Sequence, residues 1–160
     1  MYQITRESAR QRIARSLIEA LDNWHRRLYP VEMAQLTPQR LEAIPESDLI
    51  FMIIRTLSGA AVGCGAVMLR LAGEGEVKHI WIDPEHRGHG LGEQLLSQLE
   101  RQARQEGCRR LMLTTVSRQH GAVTLYLRNG YRFIDDGPKA VMEKTLMTEE
   151  TVPAAFCPPS

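Results

Sequence analysis

The chain has 160 residues, 43% of them hydrophobic and 24% charged, the balance of a soluble globular protein with one sizeable core. Its net charge of +1 provides no overall field to draw nucleic acid or an anionic membrane, and no apolar run reaches the length of a membrane span. The three cysteines, Cys64, Cys108 and Cys157, are odd in number and scattered. That argues against a disulfide frame or a metal site and makes a reducing cytoplasm the simplest compartment. The opening residues Met1 to Arg6 lack the basic-then-apolar layout of a signal peptide.

Taken in order, Tyr2 to Thr5 reads as a short edge strand. Ser8 and Gln11 form a Ser-x-x-Gln capping-box pattern, and Ile13, Leu17, Leu21, Trp24 and Leu28 follow at helical spacing. Arg12, Arg15, Glu19, Asp22 and Arg26 fall on the other face, so the segment predicts an amphipathic helix with a solvated charged side, ended by Pro30. A short helix is predicted from Thr37, with Pro38 at its first position, to about Ile44. Leu49 to Leu57 and Ala61 to Leu71 read as a hairpin turning at Ser58-Gly59. Gly63 and Gly65 inside its second strand signal a bulge or a close backbone approach. Gly73 and Gly75 mark a turn before a strand over Glu76 to Ile82. A helix then runs from Gly90 to a left-handed cap near Gly107. Leu111 to Val116 reads as a strand, Gln119 to Arg128 as a short helix closed by Asn129-Gly130, and Tyr131 to Ile134 and Val141 to Leu146 as two last strands. The tail from Thr148 to Ser160 carries Pro153, Pro158 and Pro159 and is expected to be loose. The whole predicts one α+β domain over residues 1–147, its mostly antiparallel sheet containing a single parallel step, the strand–helix–strand unit from Glu76 to Val116.

The stretch richest in chemistry is Ile80-Trp81-Ile82-Asp83-Pro84-Glu85-His86-Arg87-Gly88-His89-Gly90-Leu91-Gly92. A branched apolar run ends at Asp-Pro, three glycines alternate with larger residues, and Leu91, Leu95, Leu96, Leu99 and Ala103 begin a helical stripe at once. A helix start leaves its first N–H groups without intrahelical partners and carries the positive end of the dipole. Glycines admit a close ligand, and Arg87 adds fixed charge. The arrangement is a seat for an anion, most simply a pyrophosphate. No Lys-Ser/Thr follows, as a Walker-type loop requires, and Gly-x-Gly-x-Gly is not the dinucleotide-binding Gly-x-Gly-x-x-Gly.

Arg87-Gly88-His89-Gly90-Leu91-Gly92 resembles the acyl-CoA signature of the GNAT N-acetyltransferases, Arg/Gln-x-x-Gly-x-Gly/Ala. A second segment, Ala122-Val123-Thr124-Leu125-Tyr126-Leu127-Arg128-Asn129-Gly130-Tyr131, is similar to that family's Ala-x-x-Leu-Tyr-x-x-x-Gly-Phe, with Tyr131 in place of Phe, a mild change. The resemblance covers about residues 49 to 146. It implies a sheet splayed beside the strand before the glycine loop and flanked by helices. The pantetheine arm of acetyl-CoA would pair with the backbone of Ile80, Trp81 and Ile82 as an added strand. The pyrophosphate would lie on the amides of Arg87, Gly88, His89, Gly90, Leu91 and Gly92.

Three roles are open for Glu76: general base, contact to a substrate ammonium, or a structural carboxylate paired with Lys78. Tyr126 matches the family's tyrosine beside the cofactor sulfur, where a phenol donates a proton to the departing thiolate; in isolation it reads as a packed helix residue. His79, His86, His89 and His120 share no metal-ligand spacing, so no metal is expected. His89 fills a variable motif slot near phosphate, and His79 adjoins the reacting strand. Asp83 and Pro84 shape the turn. Trp81 projects from the face opposite Ile80 and Ile82 and reads as a packing residue. Ser117 either caps the next helix, the simpler reading, or touches pantetheine.

The resemblance therefore implies an acetyl-CoA-dependent N-acetyltransferase working by direct transfer to the primary amine of a small molecule or amino acid. Alternatives are a protein or peptide N-terminal amine as acceptor, a non-catalytic acyl-CoA-binding module, and a nucleotide-phosphate binder of another fold. A homodimer is a family-level expectation. No motif in the N-terminal helices or hairpin loops names the amine.

Overall fold

The computed structural model describes residues 1–31 and 41–146. The elements are β1 (Tyr2–Arg6), α1 (Arg12–Leu28), β2 (Leu49–Thr56), β3 (Ala61–Leu69), β4 (Glu74–Ile82), α2 (Leu91–Gln105), β5 (Arg110–Val116), α3 (His120–Arg128), β6 (Arg132–Asp135) and β7 (Lys139–Thr145). They form one seven-stranded sheet in the order β1-β2-β3-β4-β5-β7-β6. Every pairing is antiparallel except β4 with β5, which are joined through α2. The predicted α+β class and its single parallel step are both present. The loose tail and most of the predicted helix from Thr37 lie outside the described residues; of that segment, Leu41–Ala43 is a single 3-10 turn. No described helix is long and apolar enough to cross a membrane.

The sheet is covered on both faces. One layer joins Ile50, Met52 and Ile54 of β2 to Leu95, Leu96 and Leu99 of α2 and to Tyr126 of α3. The other joins Phe51 and Ile53 to Ala14, Leu17 and Leu21 of α1. Alternation along β2 is thus the physical divider of the two cores: even positions face α2, odd positions face α1. Leu95, Leu96 and Leu99 are fully buried, and each such side chain contributes about 1.5–3 kcal/mol of hydrophobic stabilisation.

Several boundaries move, each for a local reason. α1 starts at Arg12 after Gln11, without a side-chain cap. Ser8 Oγ instead accepts from Arg10 N–H at 3.1 Å, and the Gln11 amide donates to the Ser8 carbonyl at 3.0 Å, so the capping-box pair closes a turn before the helix. The buried stripe is Ala14, Leu17 and Leu21, while Ile13 and Leu28 at the ends of the predicted stripe are exposed. β4 starts at Glu74, two residues early, because Gly75 belongs to the strand: a Cβ there would meet Leu111 Cδ2 at 2.8 Å and Val67 Cγ1 at 2.9 Å. Gly73, with φ 75°, keeps the turn. Ser117 does not cap α3, whose N-cap is Gln119; the Ser117 hydroxyl donates to the Gly137 carbonyl and fixes the turn between β6 and β7.

Tyr131 lies outside β6, buried at the corner where α3 meets it. Its hydroxyl donates to Glu100 Oε2 at 2.9 Å, and Lys144 Nζ reaches Glu100 Oε1 at 2.8 Å. Glu100 is 5% exposed. A carboxylate held this deep in α2 must be paired and hydrogen-bonded, or it costs several kcal/mol. The tyrosine in place of the motif's phenylalanine therefore has a partner, and the exchange is not mild. Tyr131→Phe should cost about 1.5–3 kcal/mol, the range for a hydrogen bond to a charged group, read by urea unfolding with an unchanged m-value. A loss within the scatter of surface substitutions, about 0.5 kcal/mol, would mean that Lys144 alone satisfies Glu100.

Candidate functional site

β4 and β5 pair at only three positions, Glu74 with Arg110, Gly75 with Leu111 and Glu76 with Met112. Beyond Glu76 they part. β4 stays on β3 out to Gly63–Ile82, and β5 stays on β7 out to Val116–Lys139. The gap opens into a cleft of about 1170 Å³, walled by Val77 to Ile80 of β4, Leu113 to Val116 of β5, the C-terminal half of α1, and Ala122, Leu125 and Tyr126 of α3. Between the parted strands, backbone edges of both face the cleft.

An irregularity in β4 aims its side chains. Cys64 of β3 pairs with Trp81 and Ala66 with Lys78, so His79 and Ile80 stand opposite the single residue Gly65. His79 has φ 56°, in the left-handed region. A bulge of this kind reverses the facing parity of the strand. Val77 lies in the α2-side core and Trp81 in the α1-side core, although four residues apart they would share a face in a regular strand. Gly65 makes room for it: a Cβ there would meet Ile80 Cδ1 at 2.8 Å and Leu99 Cδ1 at 2.9 Å. The sequence signal at Gly65 was correct, but the extra residue sits on the neighbouring strand. Cys64 Sγ donates to the His79 carbonyl at 3.4 Å. Burial and the Asp22 carboxylate push that thiol up to about 12, so it is no nucleophile at neutral pH.

The glycine loop joins the end of β4 to α2. Asp83 accepts from Glu85 N–H at 2.9 Å and Pro84 starts a 3-10 turn. Gly88 and Gly90 have φ 86° and 72°, and a Cβ at either would meet nothing within 4 Å. Conformation, not protein crowding, selects glycine there. Gly92 differs: a Cβ would meet Leu125 Cδ2 at 3.0 Å, so this third glycine lets α3 close on α2. Arg87 N–H reaches the Pro84 carbonyl at 3.4 Å and Gln94 N–H the Gly90 carbonyl at 3.2 Å. The N–H groups between belong to the loop and first turn of α2, where helix geometry supplies no acceptor. Leu91 buries its side chain while its amide belongs to that turn. His89 is exposed beside Tyr2, and the Tyr2 hydroxyl bonds His86 Nδ1 at 3.0 Å, tying the loop to the edge strand.

The Arg87 side chain turns back from the loop. Its Nε donates to the Ile82 carbonyl at 2.9 Å, and its guanidinium lies 4.6 Å from the Trp24 ring centre and 5.2 Å from that of Trp81. Trp24 and Trp81 meet edge-on at 5.8 Å. Trp81 is a packing residue locking α1 to β4, on the face opposite Ile80 and Ile82 as its alternation implied. Glu76 is not a strand-start residue but the last β4 position paired with β5. Its Oε1 is held by Arg70 Nη2 and its Oε2 by Lys78 Nζ at 3.3 Å, with the side chain 21% exposed at the fork. Tyr126 lines the cleft from α3 and packs edge-on against Tyr131 at 5.7 Å. Burial raises its phenol above the ordinary tyrosine range, so it keeps its proton throughout neutral pH.

The site thus brings together β4, the glycine loop and Tyr126. It also recruits Asp22 and Arg26, which the sequence placed on a solvated helix face, together with His25 and, just past the end of α1, Tyr29; all four line the cleft. The Tyr29 ring stacks under the Arg118 guanidinium at 5.3 Å, joining the end of α1 to the loop after β5. Only the Trp24–Leu21 stripe beside Asp22 and His25 hinted at this, because their role depends on which strand α1 covers. Among the described residues no three His, Cys, Asp or Glu side chains are placed to hold a metal ion.

The model of the acetyltransferase (GNAT) family matches residues 18–131. The IAA acetyltransferase of Azospirillum brasilense is 38% identical over 136 residues, which cover 84% of this chain and 86% of that protein. A crystal structure from Klebsiella pneumoniae, of a protein proposed to be an acyl-CoA N-acyltransferase, superposes with a TM-score of 0.81 at 40% identity over 92% of this chain and 99% of its own. The phosphinothricin acetyltransferase of Sinorhizobium meliloti, solved in complex with AcCoA, shares the fold at a TM-score of 0.68 and 17% identity, over 99% and 96% of the two chains. The parted strands, the glycine loop at a helix start and the match over most of the length agree: the chain belongs to the GNAT family of acetyltransferases.

Proposed function

We propose that this protein transfers the acetyl group of acetyl-CoA directly to the primary amine of a small molecule or amino acid. The observation that carries the reading is the cleft itself, which runs from the unpaired edge of β4 to Arg87 and Gly88 of the glycine loop that leads into α2. An extended amide-bearing arm fits between the parted strands as an added strand, bonded to Ile80, Trp81 and Ile82 through backbone. The pyrophosphate then lies on the amides from Gly88 to Gly92, at the positive end of α2, the Arg87 amide of the expected set being turned to the Pro84 carbonyl. Arg26, Lys78, Arg87, Arg128 and Lys139 outnumber Asp22 and Glu76 along the cleft, which suits a polyanionic cofactor. The relation to the Azospirillum IAA acetyltransferase supports a small acceptor.

In the reaction the neutral amine attacks the thioester carbonyl, and a β4 amide beside Ile82 polarises its oxygen. Tyr126, kept protonated by burial, gives its proton to the thiolate as the C–S bond breaks. Glu76, with both oxygens engaged, holds Lys78 at the cleft wall. The experiment that tests the acceptor class is coenzyme A release across amino acids, polyamines, aminoglycosides and peptides. Release confined to peptides would replace the small-amine reading with N-terminal acetylation.

Acetyl-CoA and coenzyme A should raise the melting temperature, and a hundredfold excess over Kd adds about 2.7 kcal/mol to the native state. Gly90→Val should lose most of that shift. A branched residue at φ 72° is strained by about 1–2 kcal/mol, and its side chain projects into the space left for phosphate. A folded variant by circular dichroism that still binds acetyl-CoA at wild-type affinity would remove this turn from the site.

Tyr126→Phe should keep acetyl-CoA affinity and reduce single-turnover coenzyme A release about a hundred- to ten-thousandfold, the usual span for a general acid. Wild-type single-turnover rates would reduce Tyr126 to a packing residue.

A further inference from the structure

We infer that His79 is the base that takes the proton from the acceptor ammonium, and that Asp22 of α1 is the carboxylate that steadies the imidazolium so formed. The inference rests on the acetyl-transfer reading above and adds to it the group that makes the amine nucleophilic. An alkyl ammonium, with a pKa of about 10, is almost wholly protonated at pH 7. Direct transfer therefore requires a nearby proton acceptor.

Glu76 is poorly placed for that task. Arg70 and Lys78 occupy one oxygen each, so accepting a proton means breaking an ion pair. His79 lies three residues further along β4, inside the cleft, on the strand whose edge the cofactor arm would follow. Its backbone is held at φ 56°, a region that non-glycine residues rarely enter. The bulge opposite Gly65 and the Cys64 thiol on its carbonyl hold it there. Strain of this kind persists where the surroundings over-determine it, and it clusters at sites of chemistry. Here the strained residue lines the cleft together with Asp22 and His25 of α1.

The charged and titratable groups that share the cleft with that imidazole and act on it are Asp22 and His25 from α1, and Lys78 and Glu76 from its own strand. Burial is the largest influence and lowers its affinity for a proton; Lys78 and His25 act the same way, while Asp22 and Glu76 oppose them. The outcome is a neutral ring at pH 7, which is the form a base needs. His25 is likewise kept neutral by burial.

The balance is complete. The ring nitrogen of His79 takes one proton from the ammonium, and the freed lone pair forms the bond to the acetyl carbon. The C–S bond breaks, sulfur takes the Tyr126 proton, and the second amine proton restores the phenol as the amide forms. The imidazolium then returns its proton to solvent.

The test is single-turnover coenzyme A release by the full-length protein, wild type and His79→Asn. Asparagine enters the left-handed region readily, so the bulge survives; His79→Gln is a second variant, and acetyl-CoA binding is measured for each. The probe is the panel amine acetylated fastest by the wild type, beside hydroxylamine, whose nitrogen is already neutral at pH 7. With the panel amine, His79→Asn should be slower by about a hundred- to ten-thousandfold, and the acid limb of the wild-type kcat profile, which lies below the ordinary imidazole range because burial lowers this ring's affinity for a proton, should vanish from its profile. With hydroxylamine the loss should be at least tenfold smaller, a difference that a purely structural defect would not produce. Glu76→Gln should keep the acid limb. Equal losses with both nucleophiles, or an acid limb that survives in His79→Asn and disappears in Glu76→Gln, would overturn the assignment while leaving acetyl transfer intact. Acetyl-CoA binding with no release to any amine would overturn the transfer reading, and this base with it.

Discussion

The parting of β4 from β5 after Glu76 is the constraint on which the rest of the structure depends. Parallel strands joined by a helix would ordinarily pair along their length, since each unpaired backbone group in a sheet interior carries a cost. Here each strand is instead held by its outer neighbour: β3 follows β4 to Ile82, and β7 follows β5 to Val116. The fork is pinned at its closed end by Gly75, whose missing side chain lets Val67, Leu111 and Cys108 meet over the sheet. At its open end α1 and the loop after β5 touch through Tyr29 and Arg118. Backbone donors and acceptors withheld from the sheet in this way are the ones that the proposed reading gives to an extended ligand.

The same economy governs the loop. Gly88 and Gly90 stand in conformations open to glycine, with free space where a side chain would be, whereas Gly92 is required by the contact with Leu125. Two glycines of the motif thus face open space, where the proposed cofactor would lie, and the third faces the core. The arginine that begins the motif is occupied with Ile82, Trp24 and Trp81, so it couples the loop to α1. The seat is then mostly backbone, which explains how so short a sequence specifies it.

What was legible in the sequence is what repeats locally. Strand alternation, the α2 stripe at Leu95, Leu96 and Leu99, the left-handed cap at Gly107 and the glycine loop each declare themselves within a few residues, and all are present. Gly65 announced an irregularity but not its strand, because a bulge is a property of a pair. Ser8 and Ser117 matched capping patterns yet bond elsewhere, since their hydroxyls found turn partners at Arg10 and Gly137. Asp22, His25 and Tyr29 were illegible as site residues because nothing in α1 says that its charged face overlooks a fork in the sheet. The Glu100–Tyr131–Lys144 group was equally hidden: its members lie 31 and 44 residues apart and meet only when α2 crosses β7.

In the proposed reaction, burial would prepare an acid and a base in the same cleft. Removing either group from water disfavours its charged form. For the Tyr126 phenol that charged form is the phenolate, so burial keeps the proton on. For the His79 imidazole it is the imidazolium, so burial keeps the proton off. One physical cause, acting on a tyrosine from α3 and a histidine from β4, leaves the first with its proton and the second without one at the same pH. In the proposed reaction the two walls change charge in sequence, the histidine gaining a proton as the amine is freed and the tyrosine lending one as the thiolate departs. Asp22 makes the first change affordable, because a carboxylate facing the ring offsets part of the desolvation that the imidazolium meets.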